Sequence, residues 1–517
     1  MVLTDPVRPR RVSNVSTALA RNRLGVPAVV FFVMAAAAPL TVVAGSATTG
    51  FAVTEFIGIA VAYLAVAVIL AVFAVGYIAM SRRVVNAGAF YTYVAHGLGR
   101  IPGVGAAFVA VVAYNAMQIS IYGAFGVVAA AVLEATCGWQ VAWWVCALAA
   151  WLLVAVLGVR RVDLNGYVLG VLLVAEIAVA VVFDVVLLTH PADGQVSFAA
   201  LAPGLLLSAG AVALLVGGIA GFAGFEMTAV FSEEARDPQR TVPRATYLAI
   251  GIIGVLYGLS AWAMTVATGP DRIVQAAQEQ GTELFFNLAA PHVPAAVIDV
   301  GHLLFLTSLF AALLAFHNTV SRYLFALGRE QVLPGRLGRT SRRTGAPKLG
   351  SFLQSVTAVA VLILYAAAGW DPITHLFFWG GIGGGLGILI LMAATSIAVV
   401  GFFARHRHGE PVLRRLIAPI LAALILTATL VVTVAEFAEL LNIPNSSPVR
   451  WAFPAAYATA AVLGVGWALI LRTARRSVYA AIGLGADSST AAIRLSPTGV
   501  AQPDLTLDPA FTKASPR

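Results

Sequence analysis

Twelve apolar stretches of roughly 20 residues or more recur along the chain, and that length is what an α-helix needs to cross a hydrocarbon core. They run over 25–51, 56–81, 103–133, 140–158, 164–188, 205–231, 245–268, 296–328, 349–368, 373–403, 416–434 and 451–471. A span must satisfy its own backbone hydrogen bonds in lipid, so continuous apolar runs of this length read as helices. Composition agrees, with 60% hydrophobic and only 11% charged residues, against about a quarter charged in soluble domains. The expected fold class is an all-α integral membrane protein with 12 transmembrane helices.

The net charge of +9 invites a nucleic-acid reading, but its distribution excludes one. With the N-terminus inside, 30 of the 32 Lys and Arg fall in cytoplasmic segments, and only Arg272 and Arg450 fall outside. That asymmetry is the positive-inside rule, and it places both termini in the cytoplasm of a multi-pass cell-membrane protein. An apolar run from Val26 to Met34, preceded by basic residues and followed by Ala35–Ala38, imitates a secretory signal. It is read as the first span, because cleavage would remove the partner of a feature in the sixth. Cys137 and Cys146 have no redox or zinc-ligand spacing and read as inert.

That feature is the stretch 217–244. Glycines 217, 218, 221 and 224 loosen an apolar helix, the acid Glu226 follows at membrane depth, and a charged, proline-containing exit comes next. Unpaired backbone at that depth is tolerated only beside protein or a water-filled cavity, and an intramembrane acid marks a pathway. The first span carries a matching interruption around 35–45, where Pro39 removes a backbone donor. Two breaks five spans apart are what a 5+5 inverted repeat produces. The organisation expected is a cytoplasmic N-terminal segment over 1–24, repeats over 25–190 and 205–403, two added helices over 416–473, and a disordered cytoplasmic tail over 474–517.

Three motifs carry a family resemblance over roughly residues 25–475. GFAGFEMTAVFSEEARDPQRTVPRA, from Gly221, is similar to a sixth-span pattern of amino acid–polyamine–organocation (APC) superfamily permeases. NAGAFYTYVAHGLG at 86–99 resembles their element after span 2, and SRYLFALGREQVLP at 321–334 the end of span 8. The resemblance implies a leucine-transporter (LeuT) type fold with broken helices 1 and 6, alternating access, and a substrate with an amino group. The first-span sequence AAAAPLT at 35–41 departs from the family's G-S/A-G.

On that reading, free amides at the start of the second half of span 1 hold a carboxylate, through the backbone of Ala37, Ala38, Leu40 and Thr41. Free carbonyls of Ala220, Gly221 and Phe222 hold an ammonium group, and the resemblance makes Phe222 and Phe225 candidate gates. Tyr114, Asn115, Gln118 and Ser120 line one stretch of span 3; Tyr114 and Gln118 are counted with the binding residues, as is Trp379, which opens the glycine run 380–387. Glu226 is open to three roles: proton carrier, hydrogen-bonded tie for the loop, or substrate contact. Glu176 lies about where some proton-coupled family members carry a lysine. It reads as a second proton site or as part of a cation site with Thr307 and Ser308. Asp184 reads as solvated near the outer end of its span, and His317 and Asn318 as satisfied interior groups. Glu233, Glu234, Arg240 and Arg244, with Arg236 and Asp237, form a candidate inner gate.

The function expected is secondary active transport of an amino acid or related amine, coupled to protons, or possible sodium, or running as an exchanger. The rival is a polyamine or organic-amine transporter, then a transporter-like sensor. Without a Walker A sequence, a zinc-protease signature or a nucleophile–base pair, an enzyme is not expected. No cofactor or metal is called for. The partners are the small-molecule substrate, the coupling ion and the bilayer, and the oligomeric state stays open.

Overall fold

The computed structural model describes residues 15–16, 25–84, 88–160, 162–192, 194–230, 235–341, 344–405 and 409–485. Helices dominate. The first apolar stretch is divided into α1 (Val26–Ala37), a π-helical segment Thr41–Ala47 and α2 (Thr48–Thr54). Then come α3 (Ile59–Ser81), the short α4 (Ala89–Gly97), α5 (Arg100–Cys137), α6 (Trp143–Leu157) and α7 (Val162–Thr189). The sixth stretch is α8 (Ala209–Phe222) and α9 (Met227–Val230), followed by α10 (Pro238–Thr268). Short helices α11 (Ile273–Gln280) and α12 (Leu284–Ala289) lead to α13 (Ala295–Arg329) and α14 (Lys348–Ala368). The π-helical Pro372–Phe378 runs into α15 (Trp379–Arg405), and α16 (Ala418–Ala435), α17 (Phe437–Leu440), α18 (Ala452–Ala474) and α19 (Arg476–Ala481) end the described chain.

Among the described residues, ten helices are long and apolar enough to cross a membrane, short extensions included. The first stretch is not one of the ten because its helices are interrupted, and α6 is an apolar helix of only 15 residues. Association without a hydrophobic driving force favours small residues at crossings. The crossing of α4 and α15 is an example: a Cβ on Gly97 would lie 2.0 Å from the Ala398 carbonyl oxygen, and one on Gly401 2.6 Å from that of Gly97.

Both described ends of the chain pack near the C-terminal end of α13. Val15–Ser16 pairs antiparallel with Thr340–Ser341, so part of the N-terminal segment forms a two-stranded ribbon. The expected disorder from 474 onward fails for its first part, because α19 and the turn after it are docked. Glu330, buried just past α13, accepts hydrogen bonds from Gly483 N and Gly485 N at 2.8 Å and from the Tyr91 hydroxyl. Val478 and Ile482 add apolar contacts to Tyr91, Ala95 and Leu327. The composition of the tail is polar and small overall, which hides this local apolar pair. Glu330→Ala removes one acceptor from three donors, at about 1–3 kcal/mol for a buried donor left unmade. Trypsin should then cut at Arg475 and Arg476 faster than in the parent protein; an unchanged rate would mean that the apolar contacts alone hold the segment.

Candidate functional site

The first break follows from Pro39. A residue before proline is pushed out of the right-handed helical region, and Ala38 sits at φ 44°, ending α1 with its amide bonded to Met34 O at 2.8 Å. Tyr257 on α10 donates to the Ala37 carbonyl at 2.7 Å, satisfying one of the acceptors that the break frees.

The second break lies at the last of the four glycines. Gly217, Gly218 and Gly221 remain within α8, and the chain leaves the helix only at Ala223 (ψ 126°) and Gly224 (φ 127°). The two breaks abut: a Cβ on Gly224 would be 2.8 Å from Ala36 Cβ and 3.1 Å from Ala37 N. Glu226 holds this turn. Its Oε2 accepts Gly224 N at 2.9 Å, its Oε1 accepts the Tyr114 hydroxyl at 2.8 Å, and its carbonyl accepts the Tyr77 hydroxyl at 2.7 Å. The carboxyl is completely buried with both oxygens partnered, which is the geometry of the tie.

A cavity of about 90 Å³ opens beside the breaks. Ala36, Ala37, Val42 and Ser46 border it from the first stretch, and Gly217, Gly218, Ala220 and Gly221 from α8. Phe316, Phe377, Phe378, Met117 and Ile382 make the rest of it apolar; Ser46, Thr54, Tyr63 and Ser120 are its polar side chains. None of the residues that border it is charged. The amides of Ala223, Gly224 and Phe225 bond Ala220 O, Glu226 Oε2 and Phe222 O, so none of the three caps the Gly221 carbonyl. Gly381 also borders the cavity, and a Cβ there meets nothing within 4 Å.

A second constellation lies behind the first break. Glu176 on α7, 3% exposed, lies beside the Ser308 side chain and the Leu40 backbone. Ser308 Oγ accepts Thr41 N at 3.4 Å and Thr41 Oγ1 at 3.3 Å. A carboxyl at the start of a half-helix suits the positive end of its dipole. Glu176 Oε2 has no hydrogen-bond partner.

The expected residues therefore divide. Ala37, Ala220 and Gly221 border the cavity, whereas Leu40, Thr41, Ser308 and Glu176 gather in the second cluster and Ala38 forms the corner between. Phe222 packs edge-on against Tyr257 and Phe225 against Phe73, both outside the cavity wall. Gln118 belongs to a buried network with Tyr122, His317, Ser351 and Gln354. Trp379 donates to Leu441 O at 3.2 Å, away from the cavity. Thr307 bonds Leu304 O within its own helix, one position round from Ser308. Arg240 makes an exposed pair at 3.7 Å with Asp237, three residues earlier, and Arg244 is exposed; Glu233 and Glu234 lie outside the described residues. Asp184, read as solvated, is completely buried. The aromatic wall residues Phe316, Phe377 and Phe378 were missed because phenylalanine in an apolar span gives no sequence signal for a cavity.

The pattern of the amino acid permease family matches residues 24–467. The chain belongs to the amino acid permease family. Among curated proteins, this permease is 31% identical over 170 residues to uncharacterized transporters of Mycobacterium bovis and Mycobacterium tuberculosis. That match covers 30% of this chain and only 38% of each relative. Among solved structures, a mutant of the Eremococcus coleocola manganese transporter aligns with TM-score 0.52 and 14% identity, over 85% of the permease and 92% of that chain. The same transporter bound to an aromatic bis-isothiourea compound gives 0.51 and 12%, over 86% and 92%. At such identity the likeness is one of fold, and it gives the permease a LeuT-type transporter architecture. Its relatives are transporters and not enzymes.

Proposed function

We propose that this permease is a secondary active transporter of a small zwitterionic amino acid with an apolar side chain, working by alternating access and coupled to protons. The observation that carries this reading is the apolar cavity beside two abutting helix breaks, with the Gly221 carbonyl left for an ammonium group. An apolar wall with few polar groups is what an apolar side chain needs, and a charged one would lose its hydration there uncompensated. Glu176 and Glu226 lie outside that wall, and the orphan oxygen of Glu176 favours it as the proton site.

The proposed topology has 12 crossings arranged as a 5+5 inverted repeat with two added helices. The broken first stretch and α6 complete the ten long helices, and the packing of both described ends near the C-terminal end of α13 supports an even number of crossings. Positive charge then puts both ends in the cytoplasm. Arg240 and Arg244 remain gate candidates only in a differently closed state. Cation binding at Ser308 is the alternative to proton binding at Glu176, and sodium-independent uptake would remove it.

An organic-amine substrate is the second reading. It is favoured by the amides of Leu40 and Thr41, which already face Glu176 and Ser308 and so are not free for a carboxylate. Purified protein in liposomes, screened for exchange across the twenty amino acids and common amines, separates the two. Accumulation of amines with no amino acid accepted would overturn the first. Manganese is the cargo named for the fold relative. Among the described residues no group of three or more His, Cys, Asp or Glu is placed to hold a metal ion.

Gly381→Leu provides a sharper check. Its side chain would enter the cavity, so uptake of leucine-sized substrates should fall about 10- to 100-fold relative to alanine, the range for pocket volume changes. Equal effects on small and large substrates would mean that this cavity does not hold the side chain.

A further inference from the structure

Asp184 lies eight residues beyond Glu176 on α7, about 12 Å along the axis at 1.5 Å per residue. Leu173, Glu176, Ala180, Phe183 and Asp184 form the buried face of that helix. Ser260 on α10 donates to Asp184 Oδ2 at 2.8 Å, while Oδ1 has no partner. Glu176, beside Ser308 and the Leu40 backbone, likewise has Oε2 without a partner. Two completely or nearly completely buried acids, each with an orphan oxygen on one helix face, are poor places for permanent negative charge.

Among the described residues no cation is at hand to neutralise them. Against α7, α1 presents no titratable side chain and α12 none. From α10 come Tyr257 and Ser260, and from α13 Ser308. Farther out on α13, Asp299 is exposed and His302 is bonded to Glu283 at 2.7 Å. The outer end of α7 leads to the exposed His190, which stacks on His292.

We propose that Asp184 and Glu176 are two stations of one proton path along α7, with Asp184 the outer station. This rests on the proton-coupled transport reading above. In the outward-open state an O–H bond forms on Asp184 as one breaks in a hydronium ion of the outer water. The proton then passes to Glu176 through water admitted between α7 and α10, and Asp184 returns to its charged, hydrated form. Glu176, beside Leu40 and Ser308, ties release of that proton to movement of the first break. One proton crosses per cycle and neither acid is consumed.

The test uses the full-length protein in two measurements. Infrared difference spectra between acidic and alkaline buffer read the protonated carboxyl C=O stretch without any substrate. Two titrating bands from these acids are expected, one absent in Asp184→Asn, the other absent in Glu176→Gln, and the Asp184 band shifted in frequency by Ser260→Ala. In pyranine-filled liposomes with L-alanine and L-leucine as probes, Asp184→Asn should lose substrate-driven acidification at least about tenfold, a modest part of what a proton-transfer group contributes. Exchange of labelled for unlabelled probe should survive, and Asp184→Glu should restore coupling. An Asp184→Asn protein that keeps the parent's titrating bands or its acidification overturns the proposal. So does an unshifted spectrum in Ser260→Ala, which also covers the case in which Asp184→Asn does not fold. If the parent protein exchanges neither probe but shows both bands, the substrate reading fails and the proton stations stand.

Discussion

Gly224→Ala is expected to abolish transport and to lower the melting temperature in detergent. At φ 127° an alanine is strained by about 1–3 kcal/mol. Its methyl group would also lie 2.8 Å from Ala36 Cβ and 3.0 Å from the Val33 carbonyl oxygen, and backbone cannot swing away as a side chain can. Any shift that relieves the overlap moves Gly224 N from Glu226 Oε2 and parts the two breaks. Together these amount to roughly 3 kcal/mol or more, which is about a hundredfold if it falls on the working geometry. Gly251→Ala is the control: nothing lies within 4 Å of its Cβ, it sits in α10, and alanine suits a helix better. Wild-type uptake by Gly224→Ala would show that contact between the breaks is not part of the cycle.

The second large effect separates the two central acids. Glu226→Gln should slow uptake yet keep the shape of its pH dependence, because Glu226 has both oxygens committed to Tyr114 and Gly224. Glu226→Ala should be worse in stability than in coupling, leaving two buried donors without an acceptor at about 1–3 kcal/mol each. Glu176→Gln should do the reverse, flattening the response to a pH jump while the protein melts close to the parent. Its neutral amide keeps an acceptor for Leu40 and removes the group that can take a proton. Uptake with the opposite assignment, pH response lost in Glu226→Gln and kept in Glu176→Gln, would exchange the roles given to these residues.

Much of this arrangement was legible in the chain itself, for identifiable reasons. Helix ends fell within a few residues of the apolar limits for α13, α14 and α18, since lipid leaves little choice about where a span stops. The seventh stretch, α10, begins earlier, at Pro238, because proline in a first turn lacks only a donor that has no helical partner anyway. Pro39 marked the first break correctly. The sixth breaks at only the last of its four glycines, because glycine permits unwinding without requiring it: Gly217, Gly218 and Gly221 stay helical and line the cavity. Sequence also offered Thr307 and Ser308 together as partners of Glu176. One residue of rotation on α13 separates Ser308, in the cluster, from Thr307, outside it.

By itself, then, the sequence determined a membrane-embedded helical protein, its permease family and the existence of two interruptions. Those are properties of composition, period and local backbone chemistry, each readable within a few turns of chain. Tertiary structure alone decided that the interruptions touch, that Glu226 is a tied acid while Glu176 and Asp184 keep orphan oxygens, and that the cavity wall is apolar. It also seated Glu330 under the C-terminal segment. Each of these depends on contacts between residues far apart in the chain, such as the Tyr114–Glu226 and Thr41–Ser308 bonds. No local pattern encodes such a contact, because helix rotation and crossing are set by packing over the whole bundle.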